Sequence, residues 1–257
     1  MDELTNTVIN ASSSSSRFHN ATKLKRFIKR DDKAHSTPIL WKVNTYKAYP
    51  RFQQVILPVP TQRNGSLVEL LTHRRSVRNF TAKNISLKDL SNLIYYSVGS
   101  TKFFQPNVGD QRMYPSAGGR YPLEVYPFVF HAEPIPIGGY HYHVKTHSLE
   151  KILDGSYAKR VFSYFDQEWL RQSSVLFVIT AIFNRTEIKY GDRGYRHILT
   201  EYGHVAQNLY LLSQLYGIGC CSIGGFIDNG INRLLDLDFE DEAVVGVVAV
   251  GNKAQRS

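Results

Sequence analysis

The chain has 257 residues, 42% hydrophobic and 21% charged, an ordinary balance for a globular protein able to bury a core without staples. Its formal charge of +9 and pI near 9.4 favour anions, whether a phosphorylated cofactor, an acidic peptide or nucleic acid, and charge alone does not choose among them. Cys220 and Cys221 are adjacent and exclude a disulfide framework, the N-terminus lacks an apolar signal core and no apolar run reaches membrane-spanning length, so a cytoplasmic protein with no membrane partner is expected.

Residues 1–16 are polar and Ser-rich, which predicts a loose arm. From Arg17 to Lys33 a basic run places Leu24, Phe27 and Ile28 at helical spacing, predicting a short docking helix with a solvated face. Prolines at 38, 50, 58 and 60 mark an extended connector, so residues 1–60 read as arm and connector and 61–257 as the main domain. Ser66-Leu-Val-Glu69 has capping-box spacing and predicts a helix to about His73. A second helix is predicted from Ser86, with Leu90, Leu93, Ile94 and Val98 on its apolar face and Gly99 at its end. Strands follow at Tyr121 to His131 and Gly139 to Val144, and the apolar run Val175 to Phe183 reads as a buried strand. A long helix over about Tyr195 to Tyr216 carries the stripe Ile198, Tyr202, Val205, Leu209, Leu212 and Tyr216. Strands near Cys220 and at Val244 to Val250 close the chain. This irregular interleaving, without the tight glycine turns of a dinucleotide-binding parallel sheet, predicts an α+β fold.

Lys189 and Tyr190 follow the buried strand, where a proton-transfer pair can be delivered into a site. Two surface residues on a connecting loop is the plainer reading. Neighbours in a regular strand point to opposite faces, so both can act together only if the strand has ended by Ile188. Arg74, Arg75, Ser76 and Arg78 offer forked cations and a hydroxyl suited to phosphate, or else simply complement a helix C-terminus. Tyr114-Pro-Ser-Ala-Gly-Gly-Arg-Tyr-Pro122 is a loop whose glycines let backbone approach a flat ligand, or a plain turn before a strand. Cys220 to Phe226 carries backbone donors near paired glycines, or a bulged turn. Arg193, Tyr195 and Arg196 either shape a pocket or form a packed helix start with solvated arginines, and Asp192 compensates the helix dipole. His141, His143 and His147 lack a Cys or carboxylate partner in the sequence and predict a hairpin with exposed imidazoles rather than a metal site. The two cysteines read as small core residues.

Together, the Arg-x-Ser-x-Arg entry, the Pro-Ser-Ala-Gly-Gly loop, and the long apolar helix followed by Gly-Ile-Gly and a Gly-Gly turn resemble the nitroreductase-like flavoproteins. Within them, YPSAGGRYPLEVY, GGYHYHVKTHSLEKI, IKYGDRGYRHILTEYGHVAQNLYLLSQLYGIG and the early FHNATK are similar to the SagB-type azoline dehydrogenases of thiazole/oxazole-modified microcin biosynthesis. The resemblance spans roughly Arg17 to Gly251. It implies a mixed sheet flanked by helices, in an intertwined homodimer with FMN at each subunit interface. Arg74, Arg75, Ser76 and Arg78 would hold the phosphate and ring edge. Pro115, Ser116, Ala117 and Gly118 would come from the partner subunit, and the Ile223, Gly224 and Gly225 backbone would face the flavin ring. Lys253 and Arg256 are candidates for a basic C-terminal phosphate contact.

The implied reaction turns a thiazoline or oxazoline of a ribosomally made precursor peptide into its azole. Lys189 is the expected base for the ring α-proton and Tyr190 its orienting partner or relay, with a hydride passing to FMN and O2 reoxidising the flavin. The resemblance also implies membership of a cyclodehydratase complex. Two other readings stay open: an NAD(P)H-dependent nitroreductase or flavin reductase, and a non-catalytic basic scaffold. No common nucleic-acid fold is matched.

Overall fold

A computed structural model of the protein describes residues 14–24, 46–105 and 109–254. In chain order these form helix α1 (Ser14–Ala21), strand β1 (Gln54–Ile56), α2 (Leu67–His73), β2 (Phe80–Thr81), α3 (Leu87–Val98), β3 (Ser100–Gln105) and β4 (Gly109–Arg112). They continue as β5 (Leu123–Val129), β6 (Gly138–His143), β7 (Ser148–Asp154), β8 (Val175–Ile182), α4 (Asn184–Tyr190), α5 (Gly194–Leu215), β9 (Gly219–Ile223), α6 (Asp228–Leu234) and β10 (Glu242–Lys253). Short helical segments lie at Gly155–Ala158, Lys159–Tyr164 and Glu168–Gln172.

Local signals place the helices. The Ser66 hydroxyl accepts the Glu69 amide at the start of α2. At α3 the capping is fuller: Ser86 Oγ accepts the Asp89 N–H at 3.0 Å and donates to Asp89 Oδ2 at 2.7 Å. The α5 stripe turns Ile198, Val205 and Leu209 inward, onto the same core as Leu90, Leu93, Ile94 and Val98 of α3.

Eight strands form the main sheet, in the order β1-β7-β6-β5-β8-β10-β2 with β9 also on β10. All its pairings are antiparallel, which corrects the mixed sheet implied by resemblance. The reason lies in β10. Strands β8 and β9 run the same way and are joined through α4 and α5, but β10 enters between them antiparallel to both. β1 pairs with β7, so the main sheet takes in residues before position 61.

The sheet is covered on both faces, which explains why β8 is apolar at every position but Thr180. Phe177 and Ile179 join the α3 and α5 core, while Leu176 and Val178 join a second core with Ile231 and Leu234 of α6. Each such fully buried side chain contributes about 1.5–3 kcal/mol. Cys220 and Cys221 are both buried and unbridged, one in each core. Burial pushes the Cys220 thiol up to about 12 and raises Cys221 as well, so both fit the reading as small core residues.

The N-terminal expectations are met in part. Ser14 to Ser16, expected in the loose arm, form the first turn of α1. Phe27, Ile28 and Arg256 lie outside the described residues.

Candidate active site

Strand β8 ends at Ile182, and Phe183 already has helical backbone angles, so Lys189 and Tyr190 fall in the last turn of α4. The pair is therefore free of the alternation that would have sent its side chains to opposite faces. Both converge on one point of the chain. A Cβ at residue 118 would stand 2.7 Å from Lys189 Nζ and 2.7 Å from Tyr190 Oη, and Gly118 has φ +62, a left-handed angle that glycine adopts without strain. Lys189 Nζ also lies 5.4 Å from the Tyr190 ring centroid, and the Tyr190 ring packs edge-on against His197 at 4.9 Å.

The loop that presents Gly118 is tied down along its length. Ser116 Oγ accepts the Tyr121 N–H at 2.8 Å, and the Gly119 N–H donates to the Ser116 carbonyl at 3.1 Å. The Ala117 N–H donates to Glu201 Oε1 of α5 at 3.0 Å, and His204 Nδ1 lies 3.3 Å from the Pro115 carbonyl. Tyr121, buried at the loop's exit, has φ +47, a strained angle for an aromatic residue that the surrounding bonds must hold.

Behind the loop, a buried chain of charges anchors α4 to the sheet. Arg185, in the first turn of α4, donates from Nη1 to Glu124 Oε1 at 2.6 Å and to the Tyr121 carbonyl at 3.2 Å. The Arg120 Nε–H donates to the Arg185 carbonyl at 2.5 Å. Glu124 Oε2 meets His141 Nε2 at 3.0 Å, and the other ring nitrogen meets Glu150 Oε2 at 2.7 Å. His141 is fully buried, which corrects the expected exposed imidazole: its carboxylate partners come from β5 and β7, far apart in sequence but adjacent to β6 in the sheet. Burial alone would raise Glu124, but the His141 bond and the Arg185 charge override it and hold the carboxyl at about 2. Burial would likewise lower His141, and the bonds to Glu124 and Glu150 win, raising it above the usual imidazole range.

A second cluster gathers at the other end of α5. Ser76 Oγ lies 3.0 Å from Tyr210 Oη, which accepts the Ser222 N–H at 2.8 Å, and the Arg74 guanidinium stacks 5.1 Å from the Tyr210 ring centroid. The Val77 N–H donates to the Cys220 carbonyl, pinning this segment beside β9. Arg75, Ser76 and Arg78 are exposed, as are Gly224 and Gly225 after β9. Lys253 Nζ reaches Gln214 Oε1 at 3.4 Å, and Lys253 pairs with Phe80. The donors at this end fit a flavin mononucleotide: guanidiniums and a hydroxyl for a phosphate, next to exposed glycine backbone for a polar ring edge. His204, at the Pro115 loop, and Tyr210, at Ser76, are six residues apart on α5, about 9 Å along its axis.

Arg193 and Arg196 prove to be anchors for the N-terminal segment rather than solvated cations. Arg193 Nη1 donates to the Thr22 carbonyl at 3.0 Å, and Arg196 donates to Thr22 Oγ1 and to the His19 carbonyl, both at 2.6 Å. Phe18 packs edge-on against Tyr195 at 5.5 Å, and Tyr195 in turn lies 5.8 Å from Phe183 at the start of α4. Sequence reasoning singled out neither these contacts nor Glu124, Glu150, Arg185 and Glu201. The signal for Glu201 was present as a carboxylate on the otherwise apolar-facing side of a long helix, three residues after Ile198 and four before Val205.

A helix-covered antiparallel sheet carrying exposed arginines beside exposed glycine backbone, and a Lys-Tyr pair over a glycine loop, fits an oxidoreductase frame of the flavoprotein kind. The chain belongs to the nitroreductase family, whose profile matches residues 71–252. It is 34% identical over 185 residues to the Methanocaldococcus jannaschii nitroreductase-family protein MJ1384, covering 70% of this chain and 89% of that one. It is 30% identical over 168 residues to the Escherichia coli microcin B17-processing protein McbC, covering 62% of this chain and 60% of McbC. Among solved structures, the E. coli microcin synthetase McbBCD complex with truncated pro-MccB17 superposes with a TM-score of 0.61 at 22% identity, covering 94% of this chain and 92% of the matched one. At that identity the superposition speaks for the fold. No helix among the described residues is long and apolar enough to cross a membrane.

Proposed function

We propose that this protein oxidises thiazoline or oxazoline rings of a precursor peptide to the corresponding azoles, using FMN. The observation that carries the reading is the convergence of Lys189 Nζ and Tyr190 Oη on Gly118, whose missing side chain leaves room for both tips. Bound FMN would supply the two-electron acceptor for a hydride from the ring, with O2 as terminal acceptor. The protein's own part is the proton: Lys189 takes the ring α-proton, and Tyr190 orients the ring or relays that proton onward. One hydride and one proton leave the ring together, so the azoline becomes an azole with charge balanced. The similarity to McbC supports a peptide substrate and a cyclodehydratase complex as partner.

Arg74, Arg75, Ser76 and Arg78, with Lys253 and Arg256, would hold the phosphate, and the backbone of Ile223, Gly224 and Gly225 the ring edge. In a homodimer, Pro115, Ser116, Ala117 and Gly118 would reach the flavin held by the partner subunit. Lys189 and Tyr190 touch that loop within one chain, so they travel with it and serve the same flavin. The main domain would carry this site, with β1 of the connector completing its sheet.

The test is incubation of the protein with FMN and an azoline-containing peptide in air, scored by mass. Loss of about 2 Da per ring supports the reading. A Lys189→Ala variant that keeps its flavin and its rate would sink the assignment of the base. Rapid reduction of the flavin by NAD(P)H with no change in the peptide would favour a general nitroreductase.

A further inference from the structure

We infer that Glu201 is a positioning residue for this reaction, holding the Ser116 to Gly119 turn in place beneath Lys189 and Tyr190. The inference rests on the proposed roles of that pair, while the grip itself is a feature of the fold.

Glu201 is 2% exposed, on the face of α5 turned toward the loop. Its Oε1 accepts the Ala117 N–H at 3.0 Å, and its Oε2 has no hydrogen-bond partner among the described residues. For stability alone this is a poor arrangement, because a buried carboxyl answered by the Ala117 amide and the Ser116 hydroxyl does not recover its desolvation cost. The Ala117 and Ser116 donors and the nearby Arg112 charge pull toward ionisation, yet burial outweighs them. The return on that cost is geometric. Ala117 is the residue next to Gly118, so the bond fixes the backbone beside the point where Nζ and Oη converge. The turn therefore meets two grips, one from α5 and one from the end of α4. Only the turn Gly191–Arg193 separates those helices in sequence, and they pack directly on each other, so the grips share one rigid support. Loss of the α5 grip frees the loop against a fixed Lys-Tyr pair and changes the distance on which proton transfer depends.

The experiment compares Glu201→Ala, which deletes the acceptor, with Glu201→Gln, which retains one. Hydrogen exchange over residues 115–121, FMN affinity by flavin fluorescence, and kcat and KM with an azoline peptide are read for each. Glu201→Ala is expected to speed exchange at Ala117 and Gly118 by about ten-fold or more. It should weaken FMN binding and lower kcat by about ten-fold while the peptide KM moves less than about threefold, and Glu201→Gln should recover most of each loss. Exchange in Glu201→Ala equal to that of the wild type would overturn the inference. Faster exchange with an unaltered kcat would overturn it too, by showing a purely structural bond. Failure of the parent reading shows separately, as a wild type that takes up no FMN.

Discussion

Adding one methyl group at Gly118 tests the convergence of Lys189 and Tyr190 directly. In Gly118→Ala the new Cβ would stand 2.7 Å from both Nζ and Oη, against an ordinary contact of at least 3.4 Å, so each tip must retreat by 3.4 − 2.7 = 0.7 Å. The backbone also pays about 1–2 kcal/mol for an alanine at the left-handed φ of +62. Gly217→Ala separates these two effects, because Gly217 has φ +74 with nothing within 4 Å of its Cβ direction and so suffers the backbone cost alone. A displacement approaching ~1 Å at reacting groups can cost ~100-fold in rate, so Gly118→Ala should lose about 10- to 100-fold in kcat for azoline oxidation. Gly217→Ala should stay within about twofold of the wild-type rate while losing a similar thermal stability. The assay is initial-rate mass spectrometry on flavin-loaded protein, with melting temperatures measured in parallel. Equal rates for the two variants, at equal flavin content, would refute the placement of the pair at the reacting centre.

Three further outcomes are expected. Burial pushes Glu201 up to about 7 from an unfolded value of 4.5, so its contribution to stability is complete below pH 4.5 and is lost as pH rises through about 7. Glu201→Gln escapes that loss, and its stability relative to wild type should climb by about 3 kcal/mol between pH 4.5 and pH 8 in urea titrations; a pH-independent difference would contradict the buried ionisation. His141 has a raised folded-state value, so the stability it provides is full below its unfolded value near 6.5 and is lost as pH rises past the folded one. His141→Ala, leaving Glu124 and Glu150 apposed in the core, should cost about 3–5 kcal/mol near pH 6, and a loss under about 1 kcal/mol would mean the network is not closed. Arg196→Ala removes two bonds to the N-terminal segment and should expose residues 14–22 to exchange and limited proteolysis while costing only about 1–2 kcal/mol; unchanged protection there would refute the pinning.

Legibility in the sequence followed the range of the interaction. Ser86 with Asp89, the β8 run and the α5 stripe are local patterns, and each became the element its pattern predicts. The Lys189-Tyr190 pair was legible as chemistry, but its helical setting was hidden: Asn184–Tyr190 is one short stretch with a charged, polar exterior and no side-chain cap on Phe183 to announce it. His141 was misread because its carboxylates lie on neighbouring strands, 17 residues before it and nine after, and only strand register joins them. The antiparallel sheet was hidden for a related reason, since the strand that separates β8 from β9 is the last in the chain. The anchoring of Thr22 by Arg193 and Arg196 spans more than 170 residues and leaves no local trace.

The most direct measurement is a single turnover without oxygen. FMN-loaded protein is mixed with one equivalent of an azoline-containing peptide, and the flavin absorbance and peptide mass are followed together. Proton removal by Lys189 coupled to oxidation of the ring predicts bleaching of the flavin in step with a loss of about 2 Da per ring, both abolished in Lys189→Ala at equal flavin content. A flavin that stays oxidised beside an unchanged peptide, yet bleaches rapidly on addition of NAD(P)H, would contradict azoline oxidation as the function of this site.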